Sequence, residues 1–369
     1  MRKKNILVFH RIIAPYRIDF FNALGKEYNL KVVMFWRNLK DQTFDYKKIE
    51  NQLSFNYTYC VRDELGTLKW FVILWNLLSK TKQDIVYVGE YGPSTILAII
   101  HRFLTRSKYK IVTMVDDSFN MLDENNYFSK RHKYAVNVLA PYVDEVQTVE
   151  EKVAVWYQRK FDKGICFPII ADEIIARKRL QRSLPISEKY VKQYQLTGKK
   201  VLLFIGRLVS LKNLEFAIRA FQKLNLPNSV FVIVGSGELE GHLKAIGQLS
   251  SNVLFVGRYE GDELYAWYNV GQIFTLPSTQ EAFGAVTNEA LTAGCKSLIS
   301  KAAGSNCLIE NGVNGYVFDP YDDKEFMEKL LVLVNSCMPL SLPLMLKDNL
   351  MKDSFNGYIT NLFNKLDGL

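Results

Sequence analysis

The chain has 369 residues, of which 48% are hydrophobic and 23% are charged. That length suffices for two domains with separate cores, and the mean hydropathy of −0.05 excludes a disordered chain. The five cysteines are scattered, without a C-x-x-C pair, which argues against a disulfide framework or structural zinc and favours a reducing compartment. The first apolar run, residues 6–9, is too short for a signal-peptide core. No run is long enough to span a bilayer, so we expect a cytoplasmic protein.

The net charge of +9 lies entirely in the first half of the chain. Residues 1–180 hold 29 Lys and Arg against 20 Asp and Glu, whereas residues 181–369 hold 18 of each. Two basic clusters stand out, one formed by Arg102, Arg106, Lys108 and Lys110 and the other by Lys130, Arg131 and Lys133. Anionic lipid, nucleic acid or plain solvent could face such a surface. Because no nucleic-acid-binding motif accompanies the charges, we expect an anionic membrane surface, on the inner face of the cell membrane, and no nucleic acid.

Short β-branched runs alternate with helical patterns along the whole sequence. The predicted strands are Asn5–Phe9, Leu30–Phe35, Ile85–Val88, Lys110–Val115, Glu145–Thr148, Val201–Ile205, Val230–Val234, Val253–Val256, Ile273–Leu276, Ser297–Ile299 and Gly315–Phe318. Alternation of strands with helices indicates parallel sheets built from βαβ units. The two series predict an α/β protein of two doubly wound, Rossmann-like domains, 1–170 and 171–351. The boundary falls near Phe167–Asp172, before a polar stretch that ends at Pro185.

Two carboxylates, Glu281 and Glu289, stand eight positions apart around a Phe-Gly-Ala turn. In one continuous helix they would share a face. If Glu281 instead precedes the helix and Glu289 lies inside it, they flank a helix N-terminus. Its free N–H groups and positive dipole suit a phosphate or a polyol. The simpler interpretation of a glutamate there is charge capping of the helix.

Five ordered blocks place this pair in a wider pattern. They are Phe204-Ile-Gly-Arg-Leu208 with Lys212-Asn213, Phe231-Val-Ile-Val-Gly-Ser-Gly-Glu238, Val253-Leu-Phe-Val-Gly257, the run Gln272–Ser278 leading into Glu281–Glu289, and Ala290–Gly294 followed by Glu310–Phe318. This order resembles the donor-nucleotide half of retaining GT-B glycosyltransferases of family 4, the group 1 enzymes with an E-x7-E motif. The resemblance covers residues 200–319 and is loose in the N-terminal half. It implies two Rossmann-like domains facing across a cleft, an N-terminal acceptor domain, and a last helix, about residues 352–369, that packs back on it.

The resemblance also implies roles for residues of the donor half. Arg207 and Lys212 match the pyrophosphate ligands, Glu281 the residue at the donor-sugar hydroxyls, and Glu289 the ribose ligand. Further donor contacts are expected at Gly206, Gly235, Arg258 and the backbone N–H groups of Phe283, Gly284 and Ala285. Negative charge grows on the departing phosphate during transfer, and the sequence has no Asp-x-Asp metal clamp. We therefore expect protein cations to neutralise it, with no divalent metal or other cofactor.

Acceptor contacts are expected from polar residues that follow the first-half strands. His10 and Arg17 come after the first strand, and Glu90 after Ile85–Val88. Asp116 and Asp117 come directly after Lys110–Val115. Open α/β sheets bind ligands at the ends of their strands. Turn capping by the Asp pair and simple packing of His10 are the alternative interpretations.

Three departures from the family pattern affect the sugar side rather than the nucleotide side. Residues 10–17 carry no glycine, Gly294-Cys-Lys296 lacks the usual proline, and Ala303–Cys307 lacks the usual glutamate. The expected function is metal-independent, retaining transfer of a hexose or N-acetylhexosamine from a UDP- or GDP-sugar to a growing glycan, a lipid-linked polysaccharide or lipopolysaccharide precursor. The alternatives are a sugar-nucleotide epimerase of the same fold and a non-catalytic nucleotide- or carbohydrate-binding regulator.

Overall fold

The computed structural model describes residues 2–38, 44–122, 129–249 and 251–369. The chain divides into two compact units, Met1–Ile169 with Asn356–Leu369, and Ile170–Phe355. Each unit has its own parallel sheet. The two units separate between residues 169 and 170, one residue before the boundary that the sequence indicated.

The first unit contains a seven-stranded parallel sheet. Its strands are β1 Asn5–His10, β2 Asn29–Met34, β3 Asn56–Tyr59, β4 Ile85–Gly89, β5 Lys110–Val115, β6 Glu145–Thr148 and β7 Ile165–Cys166, in the order β3-β2-β1-β4-β5-β6-β7. The sequence did not predict the two edge strands, β3 and β7. The first is polar and half-exposed and the second has two residues, so neither carries the buried apolar run that marks a central strand.

Helices cover both faces of this sheet. Those of the first unit are α1 Ile18–Glu27, α2 Tyr46–Glu50, α3 Arg62–Leu65, α4 Thr67–Lys80, α5 Pro93–Thr105, α6 Phe119–Leu122, α7 Lys130–Leu139 and α8 Glu151–Phe161. Side chains of α4, α5, α7 and α8 share one apolar core with β1, β4, β5 and β6, which places these four helices in one layer.

The second unit contains a six-stranded parallel sheet. Its strands are β8 Lys200–Ile205, β9 Ser229–Val234, β10 Val253–Gly257, β11 Ile273–Leu276, β12 Lys296–Ser300 and β13 Gly315–Phe318, in the order β10-β9-β8-β11-β12-β13. Its helices are α9 Glu173–Gln193, α10 Leu214–Leu224, α11 Glu240–Gly247, α12 Gly261–Val270, α13 Val286–Thr292 and α14 Asp323–Ser336. The strand order is that of a doubly wound nucleotide-binding sheet. The predicted fold class is confirmed, and every predicted strand lies within one residue of its observed ends.

The polar stretch that ends at Pro185 is helical, although the sequence assigned it no element. It lies inside the 21-residue helix α9, which continues through Pro185. The Asp172 side chain caps the helix by accepting from the N–H groups of Ile174 and Ile175. A proline removes one helical hydrogen bond, but the contacts between α9 and α12, including Tyr190 stacked on Trp267 at 4.7 Å, outweigh that loss. Tertiary packing here overrides local propensity.

The last helix, α15 Phe355–Gly368, packs within the first unit. The ring of Phe363 meets Tyr28 edge-on with centroids 5.3 Å apart. The Tyr28 hydroxyl donates to Asp367 at 3.1 Å, and Lys365 pairs with the buried Glu145 at 2.9 Å. These contacts tie the chain's end to the C-terminus of α1 and to β6.

Candidate nucleotide-sugar site

The candidate donor residues lie at the carboxyl edge of the second sheet. Gly206 and Arg207 follow β8, and the loop leading to Glu281 follows the neighbouring strand β11. The chain runs outward in opposite directions from these two strands, since β9 lies on one side of the pair and β12 on the other. Such a switch point is where open α/β sheets form their binding crevice.

Glycine is required where the turns after β8 and β9 meet. Gly235 has φ +147°, and a Cβ there would lie 1.9 Å from the carbonyl oxygen of Gly206. The amide of Gly206 donates to Val234 at 3.0 Å, and that of Gly235 donates to Gly257 at 2.8 Å. The two turns therefore pack backbone against backbone, and no side chain occupies the space between them.

Lys212 and Glu281 are brought together from loops 69 residues apart in sequence. Their ammonium and carboxylate groups form a hydrogen-bonded ion pair, and both side chains are largely buried. The amide of Thr279 also donates to the carbonyl of Leu211 at 2.9 Å, which ties the same two loops together. An ammonium has three N–H donors, so Lys212 retains donors for an anion while Glu281 orients it.

Arg207 is an exposed cation at this edge. Among the residues that the structure describes, no carboxylate lies within ion-pair distance of its guanidinium. An unpaired guanidinium can grip two phosphate oxygens as a fork. The side chain of Arg258, by contrast, pairs with Glu260 at 2.6 Å, which leaves its backbone as the part available to a ligand.

The loop between Glu281 and α13 is joined to the segment after β12 by backbone hydrogen bonds. The amide of Glu281 donates to Ala302 at 3.2 Å, and its carbonyl accepts from Gly304 at 3.1 Å. Gly284 has φ +93°, a conformation that favours glycine. Within the described parts of the chain, the N–H groups of Phe283, Gly284 and Ala285 have no acceptor. Three consecutive free donors beside Lys212 and Glu281 suit phosphate or sugar oxygens.

Glu289 lies inside α13, whereas Glu281 precedes the helix by five residues. Of the two arrangements that the sequence allowed, the structure adopts the one that flanks the helix start. The buried hydroxyl of Tyr268, on α12, donates to the Glu289 carboxylate at 2.5 Å. Burial raises the pKa of Glu289, while the Tyr268 hydrogen bond and the charge of Arg179 oppose that rise. The sequence analysis did not identify Tyr268 as a site residue, because an aromatic residue at helical spacing indicates a position in the hydrophobic core.

The N-terminal candidates converge at the corresponding edge of the first sheet, after β1, β4 and β5. Arg17 is buried and its guanidinium pairs with the exposed Asp116. His10 bonds the carbonyl of Ile12 at 2.6 Å, and burial together with the charge of Arg17 lowers its pKa to about 4. Desolvation, followed by the charges of Asp116 and Asp117, raises the pKa of Glu90 even though its side chain still reaches solvent. These five residues form one polar cluster.

His132 belongs to the same cluster and was missed from the sequence. Its Nε2 lies 3.1 Å from the carboxylate of Asp117, which is buried. That hydrogen bond raises the pKa of His132. The residue sits within the basic run 130–133, which the sequence interpretation treated only as surface charge. The other candidates were found because they follow strands, whereas His132 lies on a helix and could not be found in that way.

Two general features bear on cofactors and membranes. In the parts of the chain that are described, no group of three or more His, Cys, Asp and Glu residues is placed to hold a metal ion. The helices of those parts include none with both the length and the apolar character of a membrane span. All five cysteines are free thiols.

Residues 186–341 match the family model described as glycosyl transferases group 1. An uncharacterized glycosyltransferase of Methanocaldococcus jannaschii is 36% identical over 121 residues, which cover 32% of this chain and 31% of the relative. The UDP-Gal:α-D-GlcNAc-diphosphoundecaprenol α-1,3-galactosyltransferase of Escherichia coli is 28% identical over 224 residues, 55% of this chain and 54% of the relative. The chain thus spans about a third to a half of these curated relatives.

The likeness to solved structures extends over the whole chain. HepE of Anabaena, solved with UDP and glucose, superposes with a TM-score of 0.73 at 16% identity, covering 99% of this chain and 100% of HepE. The lipopolysaccharide outer core galactosyltransferase WaaB gives 0.68 at 15% identity, covering 98% and 99%. This protein therefore has the GT-B fold. Its second unit carries the segment that matches glycosyl transferases group 1.

Proposed function

We propose that this protein is a retaining, metal-independent glycosyltransferase. It moves a hexose or N-acetylhexosamine from a UDP- or GDP-sugar to a lipid-linked glycan precursor. Support for the donor class comes from the group 1 segment and from the UDP and glucose bound to HepE. Support for a lipid-linked acceptor comes from the printed substrate of the E. coli relative, a sugar diphosphoundecaprenol.

One observation carries the proposal. Two cations and a run of free N–H groups meet at the switch point of the second sheet. Lys212 is oriented by Glu281, Arg207 is exposed, and the amides of 283–285 have no acceptor among the described residues. A departing nucleoside diphosphate needs this combination, because its charge grows as the sugar leaves.

The proposed step balances without any further reactant. The bond between the anomeric carbon and the phosphate oxygen breaks, and a bond from that carbon to the acceptor oxygen forms on the same face. The acceptor's proton passes to the departing phosphate oxygen. Lys212 and Arg207 stabilise the phosphate, Glu281 binds donor-sugar hydroxyls, and Glu289 accepts from the ribose hydroxyls. Positioning and charge stabilisation then supply most of the rate.

The polar cluster of the first unit is proposed to bind the acceptor. Asp116, Asp117 and Glu90 are acceptors suited to sugar hydroxyls. His10, with its pKa near 4, is neutral at pH 7 and can act as donor or acceptor. Arg17 is already committed to Asp116 and orients that carboxylate.

The testing experiment combines donor screening with product analysis. Titration calorimetry with UDP and GDP should show binding of one of them, and Arg207→Ala should weaken it. Incubation with the matching nucleotide sugars and lipid-diphosphate acceptors should give a product whose anomeric configuration, read by NMR, is that of the donor. An inverted product would refute the retaining mechanism. Formation of an isomerised sugar in the absence of an acceptor would indicate a sugar-nucleotide epimerase. Nucleotide binding without turnover on any acceptor would indicate a non-catalytic regulator.

A further inference from the structure

Helix α5 exposes four bulky apolar side chains, Ile96, Ile100, Phe103 and Leu104, whereas its Leu97 and Ile99 pack against the core. Its buried residues are Ser94, Thr95, Ala98 and His101, which are small or polar. The outward positions are bulky and apolar, with Phe103 82% exposed and Leu104 64% exposed. A helix that covers a sheet normally has charged and polar residues on its outer side.

The polar residues on the inner side of α5 have partners there. His101 Nε2 lies 3.0 Å from the Ser79 hydroxyl of α4, and its Nδ1 lies 3.1 Å from the Tyr109 hydroxyl. The ring of His101 also packs edge-on against Trp75 of α4 at 4.7 Å. The two helices are thus neighbours, and these contacts fix which side of α5 faces outward.

Helix α4 adds exposed apolar residues beside it. We use the name apolar face for the outward side chains of the two helices, which are Leu68, Val72, Ile96, Ile100, Phe103 and Leu104. Exposed apolar side chains on the outer sides of two neighbouring helices are typical of an interaction surface.

The two helices that carry the apolar face, α4 and α5, contain basic residues but no Asp or Glu. Neither residues 65–83 nor residues 91–115 contain an Asp or Glu, although 38 of the 369 residues, about one in ten, are acidic. Lys69, Arg106 and Lys108 are exposed and, among the described residues, form no ion pair. Arg102 and Lys110, by contrast, both pair with Asp144.

We infer that the apolar face docks on an anionic lipid surface, with Phe103 and Leu104 inserted at the headgroup boundary and Lys69, Arg106 and Lys108 on the headgroups. Apolar residues flanked by unpaired cations suit that partner. A second copy of the chain fits less well, because the same face would then oppose its own cations. The inference goes beyond the proposed transfer reaction, and it rests on the proposed function only in giving the lipid-linked acceptor a location.

The test is vesicle cosedimentation of the full chain, with phosphatidylcholine alone and with phosphatidylcholine plus phosphatidylglycerol. The wild type should bind the anionic vesicles and lose that binding as salt rises, because surface charges are screened within about 10 Å at 0.1 M. The variant F103S/L104S should bind about tenfold more weakly or worse, and R106S/K108S should lose a similar factor at low salt.

Matched controls change equally exposed residues of the second unit. Met338 and Met345 are 80% and 82% exposed, so M338S/M345S controls for loss of apolar surface. Lys178 and Lys324 are exposed cations, so K178S/K324S controls for loss of charge. Both control variants should bind vesicles like the wild type. Circular dichroism and UDP binding verify that each variant folds.

Failure to bind anionic vesicles at low salt would overturn the inference, as would unchanged binding by F103S/L104S. Light scattering could instead show that the wild type is a dimer and F103S/L104S a monomer. Together with the absence of vesicle binding, that result would assign the apolar face to self-association and would also overturn the inference. If the wild type binds anionic vesicles but no nucleotide, that result would count against the proposed function and leave this inference standing.

Discussion

Replacing Tyr268 with Phe removes one buried hydroxyl and leaves the ring in place. That hydroxyl donates to the carboxylate of Glu289 at 2.5 Å, and its ring lies fully within the core of the second unit. A hydrogen bond to a charged group contributes roughly 1.5–3 kcal/mol. If Tyr268 holds Glu289 in position for the ribose hydroxyls, its loss should weaken UDP or GDP binding by about tenfold to a hundredfold.

Two readouts separate positioning from simple destabilisation. The wild type should bind the ribonucleotide more tightly than its 2′-deoxy analogue in calorimetry, and Tyr268→Phe should lose most of that preference. The second readout is pH. The Tyr268 hydrogen bond opposes the burial-induced rise in the pKa of Glu289, so its removal should raise that pKa further. Ribose recognition needs the ionised carboxylate, so donor affinity falls as pH drops through this pKa, and in the variant it should fall at a higher pH.

Tyr87→Phe is the matched control, because Tyr87 is equally buried and its hydroxyl bonds Gln147 at 3.2 Å in the first unit. It should leave the ribose preference and its pH profile unchanged. The reasoning fails if Tyr268→Phe keeps the wild-type affinity and preference, or if Tyr87→Phe loses them equally.

Three further outcomes are expected. Lys212→Ala or Arg207→Ala should lower turnover by on the order of 100-fold or more, whereas Glu289→Ala should act mainly on donor affinity. The control Lys223→Ala, which breaks an exposed ion pair with Asp323, should change neither turnover nor donor affinity. An equal loss in all four variants would contradict this division. Transfer should survive excess EDTA, and its complete loss with rescue by manganese would refute the role given to the cations. The raised pKa of His132 means that its pairing with Asp117 stabilises the fold below the ordinary pKa of about 6.5 and that this stability is lost as pH rises through the raised value. In urea unfolding, the stability difference between wild type and His132→Gln should therefore be largest near pH 6 and shrink toward alkaline pH, and a difference independent of pH would rule out a charged His132.

Local sequence determined the fold class and the donor half of the candidate site. Central parallel strands are buried on both faces, so they read as continuous apolar runs, and each of the eleven segments predicted as a strand lies in one, to within one residue. The glycines and charged residues that follow those runs lie after strand ends. Because the strands are parallel, their carboxyl ends share one edge of the sheet, and these residues lie along that edge. Arg207, Lys212 and Glu281 were predicted through the resemblance of the ordered blocks, and they lie in the segments that follow β8 and β11.

Tertiary structure decided which of those residues meet. The pairing of Lys212 with Glu281 joins loops 69 residues apart, and the hydrogen bond of Tyr268 to Glu289 joins α12 to α13. His132 reaches Asp117 from a helix whose sequence reads as surface charge. The edge strand Asn56–Tyr59 and the passage of α9 through Pro185 depend on neighbours distant in sequence. Periodicity and propensity report the environment of a residue along its own element, whereas these features depend on which elements pack together, a choice made by the free energy of the whole core.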